Sequence, residues 1–137
     1  MKWTTGILVL IIGLFWYLGE DRGIGAVDSQ AIRGQYLVER VALCIECHSP
    51  RDSRGNLIRS QLLQGAPIPV QSPYENVQWA PRAPHIAGLP GWTAEDAIRL
   101  LTTGRKPTGE LLRPPMPPFR MSIEDASAVV AYLKTLE

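Results

Sequence analysis

The chain is poor in the groups on which most protein chemistry relies. Its 137 residues include only two cysteines and two histidines, and the formal net charge is +1. A balance this close to neutral gives no argument for nucleic acid or an acidic polymer as partner, since neither is drawn to a surface without a surplus of charge. No segment of about 20 to 50 residues recurs, which excludes a repeat array. There is no Gly-rich phosphate loop, nucleophile elbow or paired-carboxylate motif to support phosphoryl transfer, ester hydrolysis or glycosidic chemistry. No stretch alternates apolar and polar residues as a half-buried strand would, so the pattern offers no sheet.

Proline and glycine, in contrast, are plentiful, at twelve each. They make much of the fold irregular loop, and loops bury less apolar surface than packed helices. Only the part after about residue 27 has a globular pattern, leaving roughly 110 residues to build a core. Something other than side chains is needed to help fill the middle.

The longest apolar run is "WTTGILVLIIGLFWYLG", 17 residues without a charge from Trp3 to Gly19. As a helix it spans about 25 Å, a little less than a hydrocarbon core roughly 30 Å thick. A cleaved signal is the competing reading, but the nearest small-x-small site, Ile24-Gly25-Ala26, puts bulky Ile24 where a small residue is wanted. Trp3 at one end and Trp16 with Tyr17 at the other suit the two membrane interfaces. We therefore expect residues 1–22 to be an uncleaved, single-pass anchor in the cell inner membrane. Lys2 and the amino terminus stay cytoplasmic, and the rest of the chain faces the periplasmic side.

Residues 23–29, within "EDRGIGAVDS", read as a flexible linker, and residues 30–137 as one domain. A first helix should start near Asp28 or Ser29 and run through "QAIRGQYLVERVAL", with Ile32, Tyr36, Leu37, Arg40 and Val41 as its apolar stripe. Gly34 interrupts it, and the interruption makes sense if another helix crosses closely there. From Ser49 to Trp92 there are seven prolines and no periodicity. The spacing predicts one long wrapped loop with a helical turn near Leu57 to Leu63, and a loop that long needs something to wrap around. "TAED" at 93–96 is a capping pattern that predicts a helix over 94–103, stopped at Gly104. "SIED" at 122–125 predicts a terminal helix with Ala126, Val129, Val130, Leu133 and Leu136 on one face. The expected fold is all-α, with about three main helices joined by long proline-rich loops and preceded by the transmembrane helix.

The chemistry lies in "CIECH", residues 44 to 48. Two cysteines separated by two residues and followed by histidine form the c-type haem attachment pattern, in which Cys44 and Cys47 bond to the porphyrin and His48 ligates the iron. Three other readings use the same residues. A disulfide redox site would not need the histidine and lacks a βαβ setting. Zinc on Cys44, Cys47, His48 and His85 matches no finger spacing. An inert buried cysteine pair is the simplest of the three. Haem accounts for the most, because a large flat apolar cofactor also supplies the missing core.

A haem held by His48 needs a sixth ligand. In "RPPMPPFRM", residues 113 to 121, four prolines confine Met116, so that little entropy is lost on fixing its sulfur. Met121 precedes the N-cap Ser122, where a hydrophobic staple belongs. His85 is a third candidate. Methionine opposite histidine favours reduced iron, the arrangement suited to electron carriage.

Over roughly residues 30–137 the chain resembles the small monohaem cytochrome c family. The resemblance rests on "CIECHSPRDSRG", the proline-rich wrap, "GWTAEDAIRLLTTG" and "MPPFRMSIEDASAVVAYLKTL", and the chain departs from the family in a shortened stretch after "APRAPHIAGLPGW". It implies one covalent haem c with Met116 as axial ligand, Tyr132 on the helix that crosses the first, and a carbonyl from Pro81 or Pro84 on the other nitrogen of His48. Trp79 and Trp92 are expected to pack on the haem. The implied protein is an electron carrier rather than an enzyme. It would move single electrons between respiratory or photosynthetic membrane complexes, or a dehydrogenase, and a terminal acceptor, its partners being a quinol-oxidising complex, a dehydrogenase or a terminal oxidase. A fixed haem subunit of a larger membrane oxidoreductase and a haem sensor or peroxidase-like protein are the alternatives. Five cations, Arg99, Arg105, Lys106, Arg113 and Arg120, stand against Glu110 around the methionine, a surplus that would steer an acidic partner surface.

Overall fold

The computed structural model describes residues 22–136, so the expected anchor lies outside them except for Arg22. Among the described residues no helix is long and apolar enough to cross a membrane. Four α-helices occur in them: α1, Arg22–Tyr36; α2, Cys44–His48; α3, Ala94–Thr103; and α4, Ile123–Lys134. The extra helix relative to expectation is the "CIECH" segment, which forms a turn of its own.

The first helix differs from expectation at both ends. It begins at Arg22, so residues 23–29 are helical rather than a loose linker. No proline interrupts this stretch, and its glycines cost a helix about 1 kcal/mol each without stopping it. At its far end α1 passes into a wider π turn over Leu37–Val41, closed by the Ala42 N–H on the Leu37 carbonyl at 2.7 Å. The buried face is Gly34 with Leu37 and Val38, three and four residues on, the spacing of one helical face. Ile32, Tyr36 and Val41 of the expected stripe are exposed instead.

Gly34 sets the architecture. A Cβ added there would lie 2.6 Å from the Ala128 carbonyl carbon and 2.7 Å from Tyr132 Cβ, so α1 and α4 cross almost backbone to backbone. Polar contacts at the edges hold the crossing angle. The Tyr132 hydroxyl donates to Glu39 at 2.6 Å, and the Arg33 guanidinium pairs with Asp125 at 2.6 Å. Burial together with the Glu39 carboxylate holds the Tyr132 phenol well above its usual range, so the hydroxyl stays a donor throughout neutral pH. Helix α4 buries more of its surface than one face. Ala128 and Tyr132 join Ala126, Val129, Val130 and Leu133, and Leu136 packs at the margin.

Both predicted caps form. The Thr93 and Ser122 hydroxyls accept from the N–H groups of Asp96 and Asp125, and Gly104 ends α3 with φ of 69°. The predicted helical turn near Leu57 to Leu63 is a short 3-10 helix at Arg59–Gln61. The long loop also holds a little strand: β1, Ala66–Pro67, pairs antiparallel with β2, Arg82–Ala83, Ala66 opposite Ala83 and Pro67 opposite Arg82. The ladder is too short to show as alternation in a sequence. It folds the loop back so that residues 81–86 lie across the end of α2.

Replacing Gly34 by alanine should cost about 2 to 3 kcal/mol, the usual penalty of forcing a group into a packed interior. Urea denaturation checks this, with a lower midpoint at unchanged slope as the expected result.

Candidate functional site

Leu43 separates the π turn from α2 by taking a left-handed conformation, φ 53° and ψ 38°. This conformation costs a branched residue about 1 to 2 kcal/mol. It turns the chain sharply, so that Cys44 and Cys47, one helical turn apart, open with His48 onto a shared cavity of about 280 Å³. The other walls come from elements far apart in sequence: Pro84 to Ile86 of the long loop, Leu100 and Leu101 of α3, Val129 and Leu133 of α4, and the loop that carries Met116 and Phe119. Apart from a few polar groups the lining is aliphatic or aromatic, the environment a large flat apolar molecule needs.

His48 is 5% exposed. Its Nδ1 lies 2.8 Å from the Pro84 carbonyl. A carbonyl can only accept, so Nδ1 carries the proton and Nε2 keeps a free lone pair. Burial pushes the imidazole below its ordinary pKa, so it is neutral at physiological pH and able to coordinate. The two cysteines are not joined in a disulfide. Cys47 is exposed, whereas burial raises the partly buried Cys44 thiol to about 11.

The backbone around His48 is fastened to the long loop. The His48 carbonyl accepts from Gly65 N–H at 2.7 Å, and buried Ser49 Oγ accepts from Leu63 N–H at 2.9 Å. Leu63, fully buried with φ of 61°, passes the tie on, its carbonyl accepting from Ile86 at 2.8 Å and Ala87 at 3.1 Å. One chain of hydrogen bonds therefore runs from the histidine through Leu63 to the segment that holds Pro84.

Met116 is partly buried and lines the same cavity. Its loop is fixed at both ends. On one side the Pro114 carbonyl accepts from Ala80 N–H at 2.7 Å. On the other, Met121 N–H donates to Leu101 at 3.1 Å, and the Arg120 guanidinium donates to the Thr103 carbonyl at 2.7 Å. Met121 packs against the core cluster that includes Ala126, as a staple should.

The structure thus brings Cys44, Cys47, His48 and Met116 to one cavity. Pro84 rather than Pro81 supplies the carbonyl. His85 lies at the exposed rim, Trp92 lines the wall, and Trp79 is not part of the lining. Among the described residues no group of three or more His, Cys, Asp or Glu side chains is placed to hold a metal ion, so the four residues of the zinc reading do not converge on one point. The donor set that remains, two thiols, one neutral imidazole and one thioether around an apolar space, fits a covalently held haem. Sequence reasoning missed Ile68, Leu100, Leu112 and Phe119 in the lining, because they come from loops and helix faces that only the tertiary fold brings together.

The cytochrome c family model matches residues 31–137. The chain is 32% identical over 114 residues to the fructose dehydrogenase cytochrome subunit of Gluconobacter japonicus, covering 76% of this chain and 21% of that protein. It is also 32% identical over 116 residues to a diheme cytochrome c-type protein of Cereibacter sphaeroides, covering 80% of this chain and 36% of that protein. The chain therefore spans about a fifth to a third of the length of these curated relatives.

Ser49→Ala would leave the buried Leu63 N–H without an acceptor and should cost about 1 to 3 kcal/mol. Chemical denaturation of the variant beside wild type measures it, and a cost near zero would show that the tie to the histidine segment is dispensable.

Proposed function

The chain belongs to the cytochrome c family, and from that premise we propose that it carries single electrons on one covalently bound haem c. The observation that carries this reading is the convergence of Cys44, Cys47, His48 and Met116 on one apolar cavity. When bound, haem supplies a reversible one-electron couple. Cys44 and Cys47 would hold it through covalent bonds, His48 Nε2, its ring oriented by Pro84, would ligate the iron, and the Met116 sulfur would serve as a second protein ligand. The thioether favours the reduced state and raises the potential. With His48 and Met116 both given to the iron no site would be left for substrate, which favours a carrier over a catalyst.

The setting we propose is the outer face of the inner membrane, with residues 1–22 as anchor. An outward-facing dehydrogenase or quinol-oxidising complex is the donor, and a terminal oxidase the acceptor. Anchoring raises the effective concentration of the domain near such partners. A second reading, a fixed haem subunit of a larger oxidoreductase, is favoured by the likeness to a dehydrogenase cytochrome subunit. Mild detergent extraction separates the two: partners in constant ratio support the subunit, and a lone cytochrome supports the carrier. A sensor or peroxidase would need Met116 to leave the iron, and the ties at Pro114, Arg120 and Met121 oppose such a movement.

Optical spectroscopy tests the ligand pair. Wild type should be low-spin, show the methionine-to-iron band when oxidised, and exclude carbon monoxide when reduced. Met116→Ala should lose the band and bind carbon monoxide. An intact band in the variant would overturn the assignment.

A further inference from the structure

The turn that carries both thiols and His48 has little of its own to hold it. Helix α2 is five residues long, and an isolated helix of that length does not persist in water. It begins after Leu43, whose left-handed backbone is costly and whose side chain has no polar atom to cap a helix. Its inner side is fastened at two atoms, His48 Nδ1 on the Pro84 carbonyl and the His48 carbonyl on Gly65 N–H. Its outer side presents Glu46 and Cys47 to solvent. There a tie reaches it from beyond the helix, the Arg51 guanidinium donating through Nη2 to the Glu46 carboxylate.

An exposed ion pair usually contributes little, because two long side chains must be ordered to form it. Here the arginine is ordered beforehand. Its Nη1 donates to the Gly55 carbonyl at 2.7 Å, and its backbone bridges to Leu57. Asp52 closes the turn between them, its Oδ1 accepting from the N–H groups of Arg54 at 2.8 Å and Asn56 at 2.9 Å. Ile58 N–H donates to the Pro50 carbonyl at 3.0 Å, and Leu57 packs against the core, so the turn is seated on the body of the domain. Residues 51–56 are exposed and none of them lines the cavity. The side chain through which this rigid turn reaches the site is Arg51, and Glu46 receives it.

We propose that Arg51 is a positioning residue for the attachment turn: acting through Glu46, it fixes the orientation in which α2 presents Cys44, Cys47 and His48 to the cavity. The proposal rests on the haem reading above. Pro84 and Gly65 grip the turn from within and Arg51 from without, so a swing about the Leu43 junction would break contacts on both sides. A planar guanidinium suits the task because its fork serves Glu46 and Gly55 at once, a geometry that a lysine ammonium does not reproduce. The consequence falls on His48, whose ring direction follows the helix that carries it.

Electron paramagnetic resonance of the oxidised haem protein, whose line positions report the orientation of the axial ligands, tests the role together with the midpoint potential at neutral pH and the urea midpoint. The set is wild type, Arg51→Gln, Glu46→Gln, the double variant, Arg51→Lys and Arg54→Gln. Loss of either partner frees α2, so both single variants should shift or broaden the low-spin signal in the same way. The double variant should add nothing further, and Arg51→Lys should recover the wild-type signal only in part. Arg54→Gln removes an exposed cation from the same turn and should behave as wild type. Charge acting alone gives another pattern: unchanged resonances, full recovery by lysine, and a potential that falls in Arg51→Gln, rises in Glu46→Gln and returns in the double variant. That pattern would overturn the proposal. So would a lower urea midpoint with unchanged resonances, which reduces the pair to a stabilising contact, or an equal shift in Arg54→Gln. If both single variants lose covalent haem, Arg51→Lys decides: wild-type resonances overturn the positioning role, and shifted ones support it. Absence of low-spin covalent haem in wild type would overturn the haem reading, and the proposal with it.

Discussion

The close approach of α1 and α4 at Gly34 is the constraint from which the rest of the structure follows. The helix carrying Gly34 leads through the π turn into the cysteines and His48, and the helix it meets begins directly after the methionine loop. Bringing the two backbones together at Ala128 and Tyr132 therefore brings the two ends of the site toward one space. The crossing needs a residue without a side chain on α1 and small residues on α4, where Ala126 and Ala128 are buried. Tyr132 and Glu39 then limit rotation of one helix on the other, so helix packing determines which residues face the cavity.

Prolines complete what the crossing begins. The long loops gain little from regular hydrogen bonding, yet they are tied to each other and to α2 at a few defined atoms. His48 to Gly65, Ser49 to Leu63, Leu63 to Ile86 and Ala80 to Pro114 form a sparse frame around the cavity. A frame of this kind stabilises a fold only when something fills its centre, since each residue ordered in a loop costs about 1 to 2 kcal/mol of backbone entropy. The apolar lining offers burial to the face of a large ring, and the loss of water from both surfaces would offset that cost. Fold and cofactor are in this sense parts of one hydrophobic core.

Those features were legible in the sequence whose cause is local. The cap at Thr93, the stop at Gly104 and the cap at Ser122 each depend on a few adjacent residues, and α3 appears over the range the capping pattern predicts. "CIECH" is legible for the same reason. Gly34 showed that a crossing exists, but the buried face of α1 was not readable, because exposed Ile32 and Tyr36 are as apolar as buried Leu37 and Val38 and periodicity alone does not choose between the two faces. The start of α1 was misplaced because Asp28 and Ser29 are good caps that nothing obliges the chain to use. The four-residue ladder at Ala66 and Arg82 and the tie of Ala80 to Pro114 arise from contacts between distant loops, and no window of adjacent residues contains them.

The two halves of the site share one further device. "RDSRGNL" follows the histidine segment and "RKPTGEL" precedes the methionine, and both read Arg-x-x-x-Gly-x-Leu. In each the arginine and leucine backbones form an isolated antiparallel bridge, Arg51 with Leu57 and Arg105 with Leu111. In each the arginine guanidinium closes the turn on the glycine carbonyl, at 2.7 Å from Arg51 to Gly55 and 2.9 Å from Arg105 to Gly109. Gly55 and Gly109 have φ of 83° and 87°, a conformation that residues with a Cβ seldom adopt. Neither turn touches the cavity through its glycine or arginine. Each stiffens the chain just outside a ligand segment, in one case three residues after His48 and in the other five before Met116. Electron transfer is served by ligands that move little between oxidation states, and a loop closed upon itself has less freedom to move. Two separate loops reach the same closed turn beside the two proposed ligands, and this is best explained by a site that works by holding still.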